Sequence, residues 1–295
     1  MATSKTYEAR VPLRAARHHI RDVDYRVNEW GDPGDKLIVM LHGWGDAGST
    51  FQFLVDELRG SWFVIAPDWR GFGETRHRAR NYWFPDYLAD LDELGRLYSP
   101  DEPLRIVGHS MGGNVAGLYA GSMPDRVRAF VNIEGFGLAD SDPGNAPAHY
   151  RQWIEHSRTT PAFSVHASFD ELARKVGRRC PGIPPDRALF VSRQWAEEDA
   201  DGEVRIKADP AHKLPNAVQY RRAEAVACWE KISAPVLLVT GGGSDFDPEH
   251  TWVDPDTRPF RGAELVVIEG AGHMVHFEQP ARLAATIEKF LGENP

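Results

Sequence analysis

The chain has 295 residues, of which 42% are hydrophobic and 26% charged, and its formal net charge is −9. This length allows one large α/β domain, or a core domain that carries an inserted subdomain. The acidic balance argues against a nucleic-acid partner, because phosphate binding needs clustered Lys and Arg. The two cysteines, Cys180 and Cys228, form neither a disulfide framework nor a zinc-ligand spacing.

The sequence carries no recognisable targeting or membrane segment. Its first twenty residues are charged and lack an apolar core, which argues against a signal peptide. No apolar run approaches the ~18 residues that a transmembrane helix needs. We therefore expect a cytoplasmic protein that does not interact with membranes.

Predicted strands and helices alternate along the first half of the chain. Continuous apolar runs are typical of strands buried on both faces of a parallel sheet. Strands are predicted over residues 11–30 (one or two antiparallel strands), 37–41, 62–66, 104–107 and 127–133. A helix from about Pro85 has leucines at helical spacing, and another begins after Ser110.

The alternation is interrupted in the second half. Residues 138–231 are polar, with helix-like segments and no predicted buried strand, and strands resume at 235–239 and 264–268. A closing amphipathic helix completes the pattern. We predict a core of residues 1–137 and 232–295, with a helical cap inserted after the sixth strand. Ligands bind beyond the carboxyl ends of such strands, so a cap rooted there would cover the site.

The central motif is a G-x-S-x-G pattern around Ser110, between a predicted strand and a predicted helix. Gly108 and Gly112 lack Cβ atoms, so the backbone can turn sharply and expose the serine hydroxyl. The helix that begins at Met111 points its free N–H groups toward the place where an oxyanion would form. Ser110 is therefore the predicted nucleophile.

A serine hydroxyl needs a base to take its proton at neutral pH. The strongest candidate is His273, which follows the last predicted strand in a glycine-rich loop. His276, three residues further on, is its nearest rival. His109 and His42 flank the same loops, and we interpret them as packing or hydrogen-bonding residues.

The base in turn needs a carboxylate to fix its tautomer. Two acids follow strands in the required order of nucleophile, acid and histidine. Asp245 lies just past the penultimate strand, and Glu134 lies directly after the strand that ends at Ile133. We favour Asp245 and keep Glu134 as the alternative.

An oxyanion also needs hydrogen-bond donors. The backbone N–H of Met111, directly after the nucleophile, is one candidate. The other is the N–H of Trp44, in the His-Gly-Trp-Gly loop that follows the first central strand.

Four segments, in order, resemble the α/β-hydrolase superfamily. They are His42-Gly43-Trp44-Gly45, Pro67-Asp68-Trp69-Arg70-Gly71-Phe72-Gly73, Gly108-His109-Ser110-Met111-Gly112-Gly113 and Gly270-Ala271-Gly272-His273. Within the superfamily the chain is most similar to the serine hydrolase-like branch. The resemblance implies an eight-stranded, mostly parallel sheet, a helical cap, and a Ser-acid-His triad that uses neither metal nor organic cofactor.

The resemblance also bears on the reaction. Glu134 matches the position at which haloalkane dehalogenases carry their catalytic Glu, but those enzymes use an Asp nucleophile where this chain has Ser110. We therefore expect a serine hydrolase that cleaves a carboxylic ester or related acyl bond. The alternatives are C–C bond hydrolysis or cofactor-free peroxide chemistry at the same triad, and a ligand-binding protein without turnover.

Aromatic residues near the predicted rim loops indicate a pocket for a small, hydrophobic acyl substrate. The predicted pocket residues are Trp69, Phe72, His109 and Phe136. No other partner is predicted, and a homodimer is left open.

Overall fold

The computed structural model describes residues 5–159, 161–245 and 259–295. In chain order the strands are β1 (Arg14–Ile20), β2 (Val23–Trp30), β3 (Lys36–Leu41), β4 (Trp62–Pro67), β5 (Leu104–His109), β6 (Val127–Ile133), β7 (Val165–His166), β8 (Ala196–Glu198), β9 (Val204–Ile206), β10 (Val236–Gly241) and β11 (Glu264–Ile268). The helices are α1 (Gln52–Val55), α2 (Phe84–Tyr98), α3 (Met111–Ser122), α4 (Ala146–His156), α5 (Phe169–Arg179), α6 (Pro185–Trp195), α7 (Arg222–Trp229), α8 (Val275–Glu278) and α9 (Pro280–Glu293).

The described strands form one large sheet and one small one. The large sheet has eight strands in the order β1-β2-β4-β3-β5-β6-β10-β11. Neighbours from β4 to β11 pair in parallel, whereas β2 pairs antiparallel with both β1 and β4. The predicted mostly parallel, eight-stranded sheet is confirmed.

Both faces of this sheet are covered, as its apolar strands require. Along β3, Val39 and Leu41 join the apolar core beneath α2, α3 and α7, whereas Ile38 and Met40 join the core beneath α1 and α9. Successive side chains point to opposite faces, so one apolar run supplies two cores. No helix among the described residues is long and apolar enough to cross a membrane.

Between β6 and β10 the chain leaves the large sheet, after its sixth strand. Residues 138–231 contain helices α4 to α7 and the small antiparallel sheet β7-β9-β8, which the sequence pattern did not predict. The strands of this small sheet have two or three residues each, too short for a periodicity to be visible. We call residues 138–231 the insertion.

The last helix of the insertion packs into the core. Trp229 at the end of α7 is 1% exposed, belongs to the core cluster on the α3 side of the sheet, and stacks on Phe260 with ring centroids 4.9 Å apart. Gly121 of α3 permits close contact, because a Cβ there would lie 1.9 Å from the Cys228 carbonyl oxygen. Helix α7 thus belongs to the core by packing, although the predicted core resumes only at residue 232.

Truncating Trp229 to Ala is expected to lower the free energy of unfolding by about 3–5 kcal/mol, because a large buried ring leaves a cavity. Urea unfolding of the purified variant measures the change. Trp83→Ala is the matched control, since Trp83 is 57% exposed and its loss should stay within about 0.5 kcal/mol. Equal losses for the two variants would contradict the placement of α7 in the core.

Candidate active site

Ser110 lies on a sharp turn between β5 and α3, with φ 51° and ψ −115°. These angles are strained for any residue with a side chain. The Ser110 N–H donates to the Ile133 carbonyl at 2.8 Å, which fixes the turn to the end of β6. A Cβ at Gly108 would lie 2.6 Å from the Gly112 carbonyl oxygen, and one at Gly112 would lie 2.2 Å from that of Leu41. Only glycine fits at either position.

Two backbone amides beside Ser110 donate to no acceptor in the described part of the chain. They belong to Met111, the first residue of α3, and to Trp44, in the loop after β3. Gly43 brings that loop against the serine, because a Cβ there would lie 3.2 Å from Ser110 Cβ. Trp44 and Met111 both line a small cavity of about 110 Å³. Free amides in this position can bind a developing oxyanion.

His42 holds the Trp44 loop in place. Its Nε2 accepts the Trp69 N–H at 2.8 Å, so its Nδ1 carries the proton and donates to the Gly43 carbonyl at 2.7 Å. Burial lowers the pKa of His42, which keeps the imidazole in this neutral form. His42 is therefore a structural residue, as interpreted from the sequence.

His273 follows β11 and lies next to the serine turn. Its carbonyl oxygen accepts a hydrogen bond from His109 Nε2 at 2.9 Å, and His109 immediately precedes Ser110. The His273 side chain is 47% exposed. Neither its Nε2 nor the Ser110 hydroxyl hydrogen-bonds to another described residue. Both groups are thus available to a reactant.

The carboxylate beside the imidazole is that of Glu134. His273 Nδ1 lies 3.2 Å from Glu134 Oε2, and the Glu134 side chain is fully buried. Three more donors hold this carboxylate: Gly241 N–H and the Thr240 hydroxyl on Oε1, each at 2.7 Å, and the Ser244 hydroxyl on Oε2 at 2.8 Å. A buried carboxylate with this many donors is fixed in place as an acceptor.

The structure therefore reverses the sequence-based preference for Asp245, which is exposed and is not the carboxylate on the imidazole. The reason lies in the loop after β10. Gly242 N–H donates to the Ile268 carbonyl at the end of β11 and Gly243 N–H to the Ala271 carbonyl, so the loop is tied to β11 and to the segment after it before it reaches residue 245. Glu134 instead sits on the neighbouring strand end, where its longer side chain extends past β10 to the imidazole.

Glu134 also has an unusual backbone, with φ 58°. Left-handed angles are uncommon for residues other than glycine and are found where the surroundings enforce them. Its N–H donates to the Val239 carbonyl at 3.0 Å, which ties the end of β6 to β10. Ser110 and Glu134 therefore follow adjacent strands, and each has a positive φ at the same edge of the sheet.

The predicted pocket residues do not line the cavities at this edge. Trp69, Phe72, His109 and Phe136 are each at most 1% exposed and belong to neither cavity lining. The Trp69 indole N–H, for example, donates to the His42 carbonyl at 3.1 Å. Aromatic residues in rim loops were predicted to face a ligand, but here they pack the loops against the core.

The residues that do surround open space come from α3, the segment before α2, and the insertion. A larger cavity of about 320 Å³ adjoins the small one and shares Asn81, Tyr82, Phe84 and Asn216 with it. On α3, the larger cavity is lined by Asn114, Leu118 and Ser122, whereas Met111 lines the smaller one. Their three- and four-residue spacing places all four on one helix face. That spacing is present in the sequence, but it does not by itself show that this helix face borders a cavity.

The chain resembles known proteins in sequence and in fold. The family model of the alpha/beta hydrolase fold matches residues 36–280, most of the chain. The chain belongs to the α/β-hydrolase family. A serine hydrolase-like protein of Danio rerio is 25% identical to this α/β hydrolase over 282 residues, which are 91% of this chain and 85% of the relative.

The chain is also similar to an esterase in sequence and to a thioesterase domain in structure. A pimeloyl-[acyl-carrier protein] methyl ester esterase of Neisseria meningitidis is 30% identical to this α/β hydrolase over 264 residues, covering 87% of this chain and 93% of the relative. The solved thioesterase domain from the curacin biosynthetic pathway superposes with a TM-score of 0.83 at 22% identity, covering 94% of this chain and 99% of that one. At that identity the structural match supports the fold alone.

Proposed function

We propose that this α/β hydrolase cleaves a carboxylic ester through an acyl-enzyme on Ser110. The observation that carries the proposal is the meeting of three features at one sheet edge. These are a strained serine turn, a buried carboxylate on the imidazole of His273, and two backbone amides beside the serine that donate to no described acceptor. A relative named as a methyl ester esterase supports the ester as the substrate bond.

In the first step, Ser110 Oγ attacks the ester carbonyl carbon, and its proton moves to His273 Nε2. The carbonyl π electrons move onto oxygen, and this oxyanion accepts hydrogen bonds from the Trp44 and Met111 amides. Glu134 accepts the Nδ1–H of His273 and stabilises the imidazolium. The oxyanion then reforms the carbonyl and expels the alkoxide, which takes the proton from His273.

The second step releases the acid. Water gives a proton to His273 and attacks the acyl carbon, and a second oxyanion forms at the same amides. Its collapse breaks the bond to Ser110 Oγ, which recovers the proton from the imidazole. The net reaction is ester plus water to carboxylic acid plus alcohol, with no metal or organic cofactor in any step.

We further propose that the acyl part is apolar and extends along α3. The larger cavity has mainly apolar walls, including Leu88, Leu118 and Trp229. Leu118 lies seven residues beyond Met111, or about 10 Å along the helix. A chain bound at the serine would pass the small cavity and enter the larger one, and residues 216–221 of the insertion would cover it as a lid.

A series of p-nitrophenyl esters from acetyl to decanoyl tests this substrate class. Each added CH₂ that enters the cavity should raise kcat/KM by up to about fourfold, since its burial is worth about 0.8 kcal/mol. The rise should stop once the cavity is full. A kcat/KM that falls from acetyl upward would contradict an apolar acyl site.

Leu118→Trp is expected to fill the larger cavity and lower kcat/KM for the octanoyl ester by about tenfold, while acetyl ester turnover changes less than about twofold. Met123→Trp is the matched control. Met123 is partly exposed directly after α3 and lines neither cavity. If both variants lose the two activities equally, the cavity does not hold the acyl chain.

A further inference from the structure

A second cluster of ionisable residues lies behind His273, outside the proposed triad. It consists of Asp46, His109 and His276, which are 4%, 1% and 0% exposed. One potential ligand atom from each residue lies within 4.8 Å of the other two. The three come from separate parts of the chain: the loop after β3, the end of β5, and α8. Their sequence spacing therefore shows no metal motif.

Several polar atoms of this cluster lack hydrogen bonds within the described structure. They are Asp46 Oδ2, His109 Nδ1 and both ring nitrogens of His276. His276 Nε2 lies 3.5 Å from Asp46 Oδ2, within ion-pair distance but without the alignment of a hydrogen bond. Buried polar atoms normally form hydrogen bonds, so four atoms of one cluster that form none point to a ligand that would complete them.

The remaining atoms of two of these side chains are already held. His109 Nε2 lies 2.9 Å from the His273 carbonyl oxygen, which can only accept, so Nε2 carries the proton and Nδ1 keeps a lone pair. Asp46 Oδ1 accepts from Ala47 N–H, the Thr50 hydroxyl and Trp195 Nε1–H at 2.7–2.8 Å. Metal-binding imidazoles and carboxylates are oriented in this way by their outer partners.

We propose that Asp46, His109 and His276 bind one divalent first-row transition-metal ion, with Zn²⁺ the best match. Two imidazoles and a carboxylate are a common zinc ligand set, whereas Mg²⁺ and Ca²⁺ prefer oxygen ligands. Ligand atoms about 2.0–2.1 Å from a tetrahedral ion are about 3.3 Å apart, close to the 3.5 Å between His276 Nε2 and Asp46 Oδ2. The fourth position is left to water.

This site is distinct from the proposed triad, and its existence does not depend on ester hydrolysis. Its position still couples it to the triad, since His109 would bind the ion through Nδ1 and the His273 backbone through Nε2. Because all three ligands are buried, metal uptake should be slow and should require opening of the surrounding loops.

The test starts from chelator-treated full-length protein that is incubated to equilibrium with Zn²⁺ and freed of unbound metal. We expect about one zinc per chain by elemental analysis and a higher Tm than for the metal-free protein. With Co²⁺ instead, visible absorption bands of a tetrahedral nitrogen and oxygen site should appear. Zinc content that stays near zero after prolonged incubation would overturn the proposal.

Variants locate the bound metal. Asp46→Asn and His276→Asn should each weaken zinc binding by about 100-fold or more, and circular dichroism and Tm verify that the metal-free variants are folded. His273→Ala is the matched control, because an adventitious ion held by the half-exposed His273 imidazole beside the buried Glu134 would be lost in that variant. Binding that survives both ligand variants, or disappears in His273→Ala, would overturn the assignment to this cluster.

Discussion

Ser110→Ala is expected to lower kcat for ester hydrolysis by about 10⁴-fold or more, with little change in the folded structure. The hydroxyl is the only part of the side chain that the substitution removes, and it hydrogen-bonds to no other described residue. Burst kinetics with a p-nitrophenyl ester should show an acyl-enzyme in the unmodified protein and none in the variant.

An active-site phosphonate probe gives an independent measurement. It should label the folded protein once, and labelling should be absent in Ser110→Ala. Ser157→Ala is the matched control, since Ser157 is exposed and its hydroxyl donates to the Ile154 carbonyl at the end of α4. Labelling that persists in Ser110→Ala would refute the assignment of the nucleophile.

Measurements of kcat also test the base. His273→Ala should lower kcat about as much as Ser110→Ala does. The double variant should lower it little further, because the effects of residues that act as one unit are not additive. A double variant whose loss equals the product of the two single losses would show that the residues act in separate steps.

Glu134→Gln is expected to lower kcat by about 10³–10⁴-fold. The glutamine amide cannot accept from Gly241 N–H and Thr240 on one atom and from His273 on the other, because its NH₂ end is a donor. If the NH₂ end faces the imidazole, it forces the proton from Nδ1 to Nε2, and the ring can no longer take the Ser110 proton. Steady-state kinetics on a short ester measures the loss.

Asp245→Asn provides the matched control for that measurement. Asp245 is exposed, so kcat should stay within about twofold of the unmodified protein. A larger loss in Asp245→Asn than in Glu134→Gln would restore the assignment favoured by sequence. Equal and small losses would exclude both carboxylates as the partner of His273.

The acid is the clearest case in which local pattern and tertiary position differ. The sequence favours Asp245, although Glu134 likewise follows a strand and precedes the histidine. Strand order and loop anchoring separate them: β6 lies between β5 and β10, and the glycines after β10 bond to Ile268 of β11 and to Ala271 before Asp245 is reached. Neither constraint can be deduced from residue types.

The cavity lining also depends on tertiary position and not on local sequence pattern. Trp69 and Phe72 fall in a rim loop, but whether a rim aromatic faces a ligand or the core depends on the elements that pack above it. Leu118 was equally visible in the sequence on a predicted helix. Leu118 lines a cavity because the segment before α2 and the insertion lie opposite its face of α3. Both of these segments are distant from Leu118 in sequence.

The features that the sequence alone determined arise from interactions between residues close together in the chain. Apolar runs predicted the buried strands and hence the parallel sheet, and glycines at 108 and 112 predicted the turn at Ser110, because excluded volume acts between near neighbours. Only the tertiary structure decided the long-range pairings: Glu134 with His273, α7 with the core, and the cluster of Asp46, His109 and His276. Those contacts join segments up to 230 residues apart, and their geometry depends on the packing of the whole chain.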